Sequence, residues 1–580
     1  MINQAELDSR YSTWLTAPHL PVDLHRELVQ MKDNQQLLAD AFGTSLSFGT
    51  AGMRGILGAG TNRMNIYTVR QATEGLAKMM ETLPAAERER GVAISFDSRY
   101  HSCDFAHEAA GVLGAHGIKS FIFDDLRPTP ELSFAVRHLH TYAGIMITAS
   151  HNPKQYNGYK IYGPDGGQMP PQESDLMTSY VRQVADLFAI KTVSEPELRH
   201  KGLVQVIGED VDVAYLDKIK TVNINHDLIR DVGKQLKFVY TPLHGTGKII
   251  TRRALNQAGF QNYDTVVAQT IADPEFPTTP FPNPEFAQTF DLAIQLGKQE
   301  AADVLIATDP DADRLGAAVR QPNGEYQLMT GNQIASVLLD YLLKAKQRLH
   351  DLPENGVVVK SIVSTELATA IADHYGVKMK NVLTGFKFIA EQIKNFETNH
   401  DHTFLFGFEE SFGYLIKPFV RDKDAVQSTM LLAEVAAFYK QQQLTLYDGL
   451  NQLYQEYGYY REKTIAKDFP GLDGQATMSK LMSEFRATPI QNLNGQPVTA
   501  LDDFKTGIRR TADGQKTKLD LPTSDVLKYW FADDTWLAIR PSGTEPKIKF
   551  YLGVKAPTEA EATERLTQYE AALQQQLPQA

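Results

Sequence analysis

The sequence predicts an α/β fold assembled from several strand–helix units, and three observations carry that expectation. Short apolar runs rich in Val, Ile and Phe alternate with longer segments of helical period along most of the chain, which is the mark of parallel α/β units. The runs fall into three groups, and the tail changes character. At 580 residues the chain exceeds what one hydrophobic core serves, so on the order of four domains of ~150 residues are expected.

In the first group, "GVAISFD" (residues 91–97), "KSFIFDD" (119–125) and "YAGIMIT" (142–148) read as strands. "LKFVYTP" (236–242) and "ADVLIATD" (302–309) frame the second; "NGVVVKSI" (355–362) and "HTFLFGFEE" (402–410) frame the third. No strict sequence repeat links the groups, so a repeated architecture is an expectation only. Breaks are expected at the polar stretch "KTVSEPELRHKG" (191–202), at the turn "RQPNGE" (320–325) and in the Gly- and Pro-punctuated region 468–498. They suggest segments 1–203, 204–322, 323–465 and 466–580. In the tail, Pro557 precedes a capping-box pair, Thr558 and Glu561, and Ala562, Leu566, Tyr569 and Leu573 share one helical face. This is the closing helix of a small last domain.

Composition narrows the function. Hydrophobic residues make up 42% and charged residues 22%, and no stretch reaches the ~18 consecutive apolar residues of a membrane helix. The first residues lack the basic head and apolar core of a secretory signal, and the lone Cys103 forbids an intrachain disulfide, so a cytoplasmic protein is expected. A net charge of −12 opposes non-specific nucleic-acid binding, yet a small basic pocket can still hold an anionic metabolite. Small-molecule partners are expected, with neither nucleic acid nor membrane. The oligomeric state is left open, with a monomer as the expectation.

Ligands of open α/β sheets bind beyond the carboxyl ends of the strands, and four runs end in unusual chemistry. "AGIMIT" leads into Ala149-Ser150-His151-Asn152-Pro153, and "DVLIAT" into Asp309-Pro310-Asp311-Ala312-Asp313-Arg314. "FLFGF" leads into Glu409-Glu410-Ser411-Phe412-Gly413, and "TWLAI" into Arg540-Pro541-Ser542-Gly543-Thr544-Glu545.

The Asp309 loop is the most specific. Three carboxylates at alternating positions repel one another unless a cation neutralises them. A calcium-binding helix–loop–helix fails on register, because its sixth position would be Arg314 instead of Gly and its twelfth Arg320 instead of Glu. An all-oxygen site with few protein ligands suits Mg²⁺; a solvated acidic turn is the alternative. The Arg540 loop offers a guanidinium, hydroxyls and backbone N–H groups, with Lys547 and Lys549 nearby, which suits phosphate, although a plain Ser-Gly turn is also possible.

The Glu409 loop has carboxylates and a hydroxyl, which suit sugar hydroxyls. Arg421, Lys423 and Asp424 follow downstream, where a structural salt-bridge cluster is an equal alternative. For Ser150 the alternative is a helix cap, with Pro153 in the first turn. His151 is not expected to serve as its base, because neighbours on a strand point to opposite faces. Nucleotide motifs fail: Ile249 stands where a P-loop needs Ser or Thr, and Arg63 ends "GAGTNR" where a dinucleotide fingerprint needs Gly.

Together and in this order, the four loops resemble those of the α-D-phosphohexomutase superfamily, whose pattern is T-A-S-H-N-P, D-x-D-x-D-R, G-E-x-S and R-x-S-G-T. The resemblance runs from about Phe48 to the last strand, and the length and "FEESFGYLI…RDKDA" are similar to the larger phosphoglucomutase branch. It implies a four-domain, heart-shaped molecule, with three related α/β domains and a smaller α+β C-terminal domain. The segments 1–203, 204–322, 323–465 and 466–580 would then carry the phosphoserine, metal, sugar and phosphate loops.

By the matched motifs, Ser150 carries a phosphoryl group, and one of its oxygens joins Asp309, Asp311 and Asp313 in holding Mg²⁺. Arg54 in "GTAGMRG", His151, Lys160 and Arg314 would line the reacting phosphate. Gly385, Glu409 and Ser411 would meet the sugar, while Arg540, Ser542, Gly543 and Thr544 clamp the other phosphate. Lys160 or Lys423 would move the hydroxyl proton. One departure stands out: Phe408 is inserted between Gly407 and Glu409.

The activity implied is interconversion of α-D-glucose 1-phosphate and glucose 6-phosphate, with glucose 1,6-bisphosphate as intermediate and activator. Phosphomannomutase and phosphopentomutase activities are the near alternatives. A metal-dependent sugar-phosphate phosphatase and a non-catalytic sugar-phosphate sensor are the distant ones.

Overall fold

A computed structural model describes residues 3–48, 52–469, 474–542 and 547–577. The chain folds as two units. One comprises Met1–Gly331, Ala390–Phe404 and Ser411–Gln443; the other comprises Asn332–Ile389, Leu405–Glu410 and Leu444–Ala580. The division is coarser than the four expected segments, and residues 323–465 contribute to both units.

The first unit opens with helices Gln4–Leu15, Val22–Met31 and Gln35–Phe42, packed around Trp14, Leu28 and Phe42. Its first sheet contains β1 (Met53–Ile56), β2 (Val92–Phe96), β3 (Ser120–Phe123), β4 (Ala143–Ile147), β5 (Tyr156–Tyr162) and β6 (Val204–Ile207), in the order β1-β5-β4-β2-β3-β6. Every residue of β2 and β4 is buried, as strands covered by helices on both faces must be. Helices Ile66–Glu81 and Ser102–Ala115 supply Leu76 and Leu113 to the core formed around Ile94, Ile145 and Ile147.

The second sheet contains β7 (Phe238–Thr241), β8 (Tyr263–Thr265), β9 (Val304–Thr308), β10 (Leu315–Arg320) and β11 (Tyr326–Met329), in the order β11-β10-β9-β7-β8. A short strand, β15 (Gly413–Leu415), touches its start through a bridge between Gly413 and Arg314.

The sheets are mixed rather than wholly parallel. Strands β4, β2, β3 and β6 run parallel, but β4 pairs β5, and β5 pairs β1, in antiparallel register. Likewise β9 is parallel to β7 and antiparallel to β10. The reason is local: the Ser150 and Asp309 loops are too short for the dozen or more residues of a crossover, so the chain turns back beside the strand it has just left.

The breaks expected from turn signals fall at strand connections. Residues 191–202 lead directly into β6 of the first sheet, and "RQPNGE" is the hairpin between β10 and β11.

In the second unit, β12 (Gly356–Ser361) pairs β13 (Lys378–Val382) in parallel, and β12 lies beside β14 (Thr403–Glu409). The C-terminal sheet is antiparallel. It runs from β16 (Tyr459–Asp468) through β23 (Lys547–Ala556), β22 (Trp536–Pro541) and β21 (Leu527–Phe531) to β18 (Gln496–Asp503), β19 (Ile508–Thr511) and β20 (Lys516–Lys518), with β17 (Asn492–Leu493) paired to β18. The expected last helix is Glu559–Gln576, capped by Thr558, and it buries Ala562, Tyr569 and Leu573. Region 468–498 holds a helix, Gly474–Ala487, and β17. Among the described residues, no helix is long and apolar enough to cross a membrane.

Candidate active site

Ser150 stands just beyond the carboxyl end of β4, in a turn that runs straight into β5 with no helix at Pro153. The helix-cap alternative therefore does not hold. Its backbone is left-handed, with φ of 53°, a conformation that costs a non-glycine residue about 1–2 kcal/mol. The neighbourhood holds it there: the Ser150 N–H donates to Thr148 Oγ1 at 2.8 Å, and Asn152 N closes a turn on Ala149 O at 3.1 Å. Ser150 is 1% exposed, and its Oγ donates to Asp309 Oδ2 at 2.9 Å.

The expectation that His151 and Ser150 point apart is corrected, since His151 Nδ1 lies 3.3 Å from Ser150 Oγ. The alternation rule applies to extended residues, and Ser150 is not extended.

The Asp309 loop leaves β9 in the same manner, with Ala312 at φ of 49°. Asp309, Asp311 and Asp313 are buried, and each offers an oxygen within 4.8 Å of the others. Asp309 Oδ1 accepts the N–H groups of Asp313 (3.1 Å) and Arg314 (3.0 Å). Asp311 Oδ2 accepts from Lys160 Nζ at 2.7 Å and from Thr129 Oγ1 at 2.8 Å. Asp313 Oδ2 faces Lys423 Nζ at 3.1 Å and Lys160 Nζ at 3.4 Å.

Two oxygens, Asp311 Oδ1 and Asp313 Oδ1, are buried without a hydrogen-bond partner. Orphaned carboxylate oxygens are costly unless a ligand completes them, and an all-oxygen donor set is what Mg²⁺ takes. The residues fit that ion. Burial, then the charges of Asp311 and Asp313, push the Asp309 carboxyl well above its ordinary range. Burial also works to raise Asp311, but Lys160, Thr129 and Lys423 together hold that carboxyl below its ordinary range.

Arg54 extends from β1, and its Nη1 donates to Asn152 Oδ1 at 3.2 Å. Burial works against its charge, while Asp311, Asp313 and Asp309 favour it. The Arg314 Nη1 donates to Glu285 at 2.8 Å and to the Ser411 carbonyl at 3.1 Å. The Lys423 stem crosses Gly413, where a Cβ would fall 2.2 Å from Lys423 Cδ; its ammonium also meets Asp422 at 3.1 Å. Ser150, Lys160, the three aspartates and Lys423 thus form one buried cluster in the first unit, with the half-buried Arg54 and His151 at its edge.

Of the other expected residues, Arg314 and Ser411 also belong to the first unit, whereas Gly385, Glu409, Arg540 and Ser542 belong to the second. Gly385, at φ of 125°, donates its N–H to Glu409 Oε1 at 2.7 Å. Arg540 Nη1 reaches Tyr551 OH at 3.4 Å, and Ser542 N donates to Lys547 O at 2.8 Å. Gly543 and Thr544 lie outside the described residues.

Three participants escaped the sequence reading. Thr129 holds Asp311, and Asp97 and Arg99 support the Ser150 loop. The last two had a signal: "GVAISFD" ends at Asp97 and leads into Ser98-Arg99, at the same strand-end address as the other loops. Thr129 had none, because its partner is 182 positions away.

Comparison with known proteins gives the chain its family. Four domains described as phosphoglucomutase/phosphomannomutase domains match in order: α/β/α domain I at residues 45–186, α/β/α domain II at 213–324, α/β/α domain III at 330–457 and the C-terminal domain at 495–572.

A phosphoglucomutase of Staphylococcus aureus strain MRSA252 is 38% identical over 530 residues, 91% of this chain and 92% of the relative. One from Staphylococcus haemolyticus is 38% identical over 91% of this chain and 94% of its own length. Among solved structures, Paramecium parafusin, described as a phosphoglucomutase in its open form, superposes with a TM-score of 0.66 at 18% identity, covering 92% of this chain and 95% of that one. A phosphoglucomutase/phosphomannomutase family protein of Burkholderia thailandensis gives a TM-score of 0.63 at 17% identity, covering 91% and 97%. The chain belongs to the phosphoglucomutase/phosphomannomutase family.

Proposed function

We propose that this chain is a phosphoglucomutase that interconverts α-D-glucose 1-phosphate and glucose 6-phosphate through a phosphorylated Ser150. The observation that carries the reading is the approach of Ser150 Oγ to Asp309, 2.9 Å away, within a buried three-carboxylate cluster that keeps two oxygens open. The names of the curated relatives support the choice of sugar.

In the forward step, the bond from phosphorus to Ser150 Oγ breaks, a bond to the sugar hydroxyl oxygen forms, and the hydroxyl proton passes to a basic side chain. The product is glucose 1,6-bisphosphate. After the bisphosphate turns over, its other phosphoryl returns to Ser150 and the proton is given back.

Asp309, Asp311 and Asp313 would hold Mg²⁺ beside Ser150; when bound, that ion neutralises charge on the transferring phosphoryl. Arg54 adds fixed positive charge, as does whichever of Lys160 and Lys423 does not carry the proton, and His151 and Arg314 flank the group. Lys160 or Lys423, both in reach of the cluster, serves as the proton carrier. Gly385, Glu409 and Ser411 read the sugar hydroxyls, and Arg540, Ser542, Gly543 and Thr544 hold the phosphate that is not reacting.

Steady-state kcat/KM on glucose 1-phosphate, mannose 1-phosphate and ribose 1-phosphate tests the reading. The glucose value is expected to be largest. A dominant mannose or pentose value, or release of inorganic phosphate without isomer exchange, would overturn it.

A further inference from the structure

The turn that presents Ser150 directs four backbone carbonyls at one side chain. Arg99 Nη2 donates to Ser150 O and to Asn152 O, each at 2.5 Å, and Nη1 donates to Pro153 O at 2.9 Å and to Tyr156 O at 3.1 Å. Arg99 is 3% exposed, and its guanidinium carbon sits 5.0 Å from the centre of the Phe276 ring. Asp97 Oδ2 lies 3.2 Å from Arg99 Nε.

Asp97 does a second job. It accepts from Ser102 Oγ at 2.7 Å and from Thr148 Oγ1 at 2.6 Å, and Thr148 Oγ1 in turn accepts the Ser150 N–H. The nucleophile's N–H and carbonyl are therefore both tied, by separate routes, to the Asp97–Arg99 pair.

We propose that Arg99, held by Asp97, is a positioning residue that fixes Ser150 in its left-handed conformation and so sets the direction of Oγ for phosphoryl transfer. The proposal rests on the reading of Ser150 as phosphoryl carrier. A planar guanidinium presents five N–H donors in a fixed fork, whereas an ammonium has three on a compact head. Lysine keeps the charge but cannot span four carbonyls. Without the fork, the strained turn relaxes and Oγ moves, and a displacement of about 1 Å costs on the order of 10²-fold in rate.

The test uses the full chain with Mg²⁺, as wild type, Arg99→Lys and Asp97→Asn. Peptide mass mapping after incubation with glucose 1,6-bisphosphate first asks whether wild-type Ser150 carries phosphoryl; if it does not, the reading of Ser150 fails and the proposal falls with it. With wild-type Ser150 phosphorylated, Arg99→Lys is expected to lower kcat by about 10²-fold while KM for glucose 1-phosphate moves less than about 3-fold. Single-turnover discharge of phosphoserine to glucose 6-phosphate slows by the same factor, and near-UV circular dichroism stays native.

Asp97→Asn keeps the fork and loses its charge partner, so a kcat loss of about 10-fold is expected. Unchanged kcat in both variants, or a loss that only tracks the folded fraction, would overturn the proposal. Should Arg99→Lys not fold, Thr148→Val breaks the other route, and the same comparison of kcat, KM and discharge decides.

Discussion

The β4–β5 loop and the β9–β10 loop share a design. Each leaves the carboxyl end of a wholly buried strand, turns back into an antiparallel neighbour, and places one non-glycine residue, Ser150 or Ala312, in a left-handed conformation. They are held in opposite ways. The first is pinned by side chains at its edge, with Arg99 donating to its carbonyls and Thr148 Oγ1 accepting its N–H. The second folds its own N–H groups onto Asp309 and borrows counter-charge from Lys160 and Lys423. In the proposed mechanism Ser150 must have its direction set before substrate arrives, whereas the acidic loop must keep oxygens open for a cation, and each mode of support suits that task.

The largest expected effect breaks the first loop's chemistry. Ser150→Ala should lower kcat by on the order of 10⁴-fold or more and leave Mg²⁺ binding measurable by calorimetry. Residual turnover near wild type would remove Ser150 from the mechanism.

Next comes the acidic loop. Asp309→Asn should cost at least about 10²-fold in kcat with Mg²⁺ present. In chelator at neutral pH the same variant should unfold at a higher temperature than wild type, because it removes one of three mutually repelling charges. Thermal melts with and without Mg²⁺ check both signs, and a metal-free variant less stable than wild type would show that the loop does not store repulsion.

Two glycines sharpen the comparison at smaller scale. A Cβ at Gly245 would fall 2.3 Å from Pro310 Cα, and one at Gly158 would fall 2.6 Å from Thr148 O. Each substitution to Ala should destabilise by about 1–3 kcal/mol through overpacking. Gly245→Ala should weaken Mg²⁺ binding in titrations, while Gly158→Ala should lower kcat with Mg²⁺ affinity unchanged. Reversed outcomes would mean that the loops are not supported independently.

The smallest effect lies outside both loops, at Asp424, which caps helix Ala425–Gln441 and accepts from Tyr215 OH at 2.9 Å. Burial raises its carboxyl to about 6. A group raised above its unfolded value of ~3.9 gives full stability below that value and loses it as pH rises through the folded one. Asp424→Asn, which keeps a capping oxygen, should therefore flatten a decline on the order of 2 kcal/mol between about pH 4 and 6 in denaturant melts. An identical slope in the variant would assign that decline to other groups.

Much of the candidate site is legible in the sequence. Strand-end position and residue chemistry singled out Ser150, the three aspartates, Glu409 and Arg540, because a buried apolar run followed by carboxylates or hydroxyls is a local signal. Turn signals carry a narrower message: "KTVSEPELRHKG" and "RQPNGE" mark changes of direction, and the strands that follow them pair with the sheet already begun. Turn residues report local backbone geometry, and a sheet is closed by pairing between distant segments, which no short window records.

By itself the sequence determined the α/β class, the buried strands such as β2, β4 and β9, the closing helix and the chemistry of each loop, since these follow from periodicity and residue type within a few positions. Tertiary structure alone decided that β5 and β10 turn back antiparallel, that Ser150 meets Asp309 159 positions away, that Thr129 and Lys160 share Asp311, and that Arg99 gathers the carbonyls of the Ser150 turn. Those outcomes depend on hydrogen bonds and charges that must be satisfied once buried, and only the folded chain shows which distant group satisfies them.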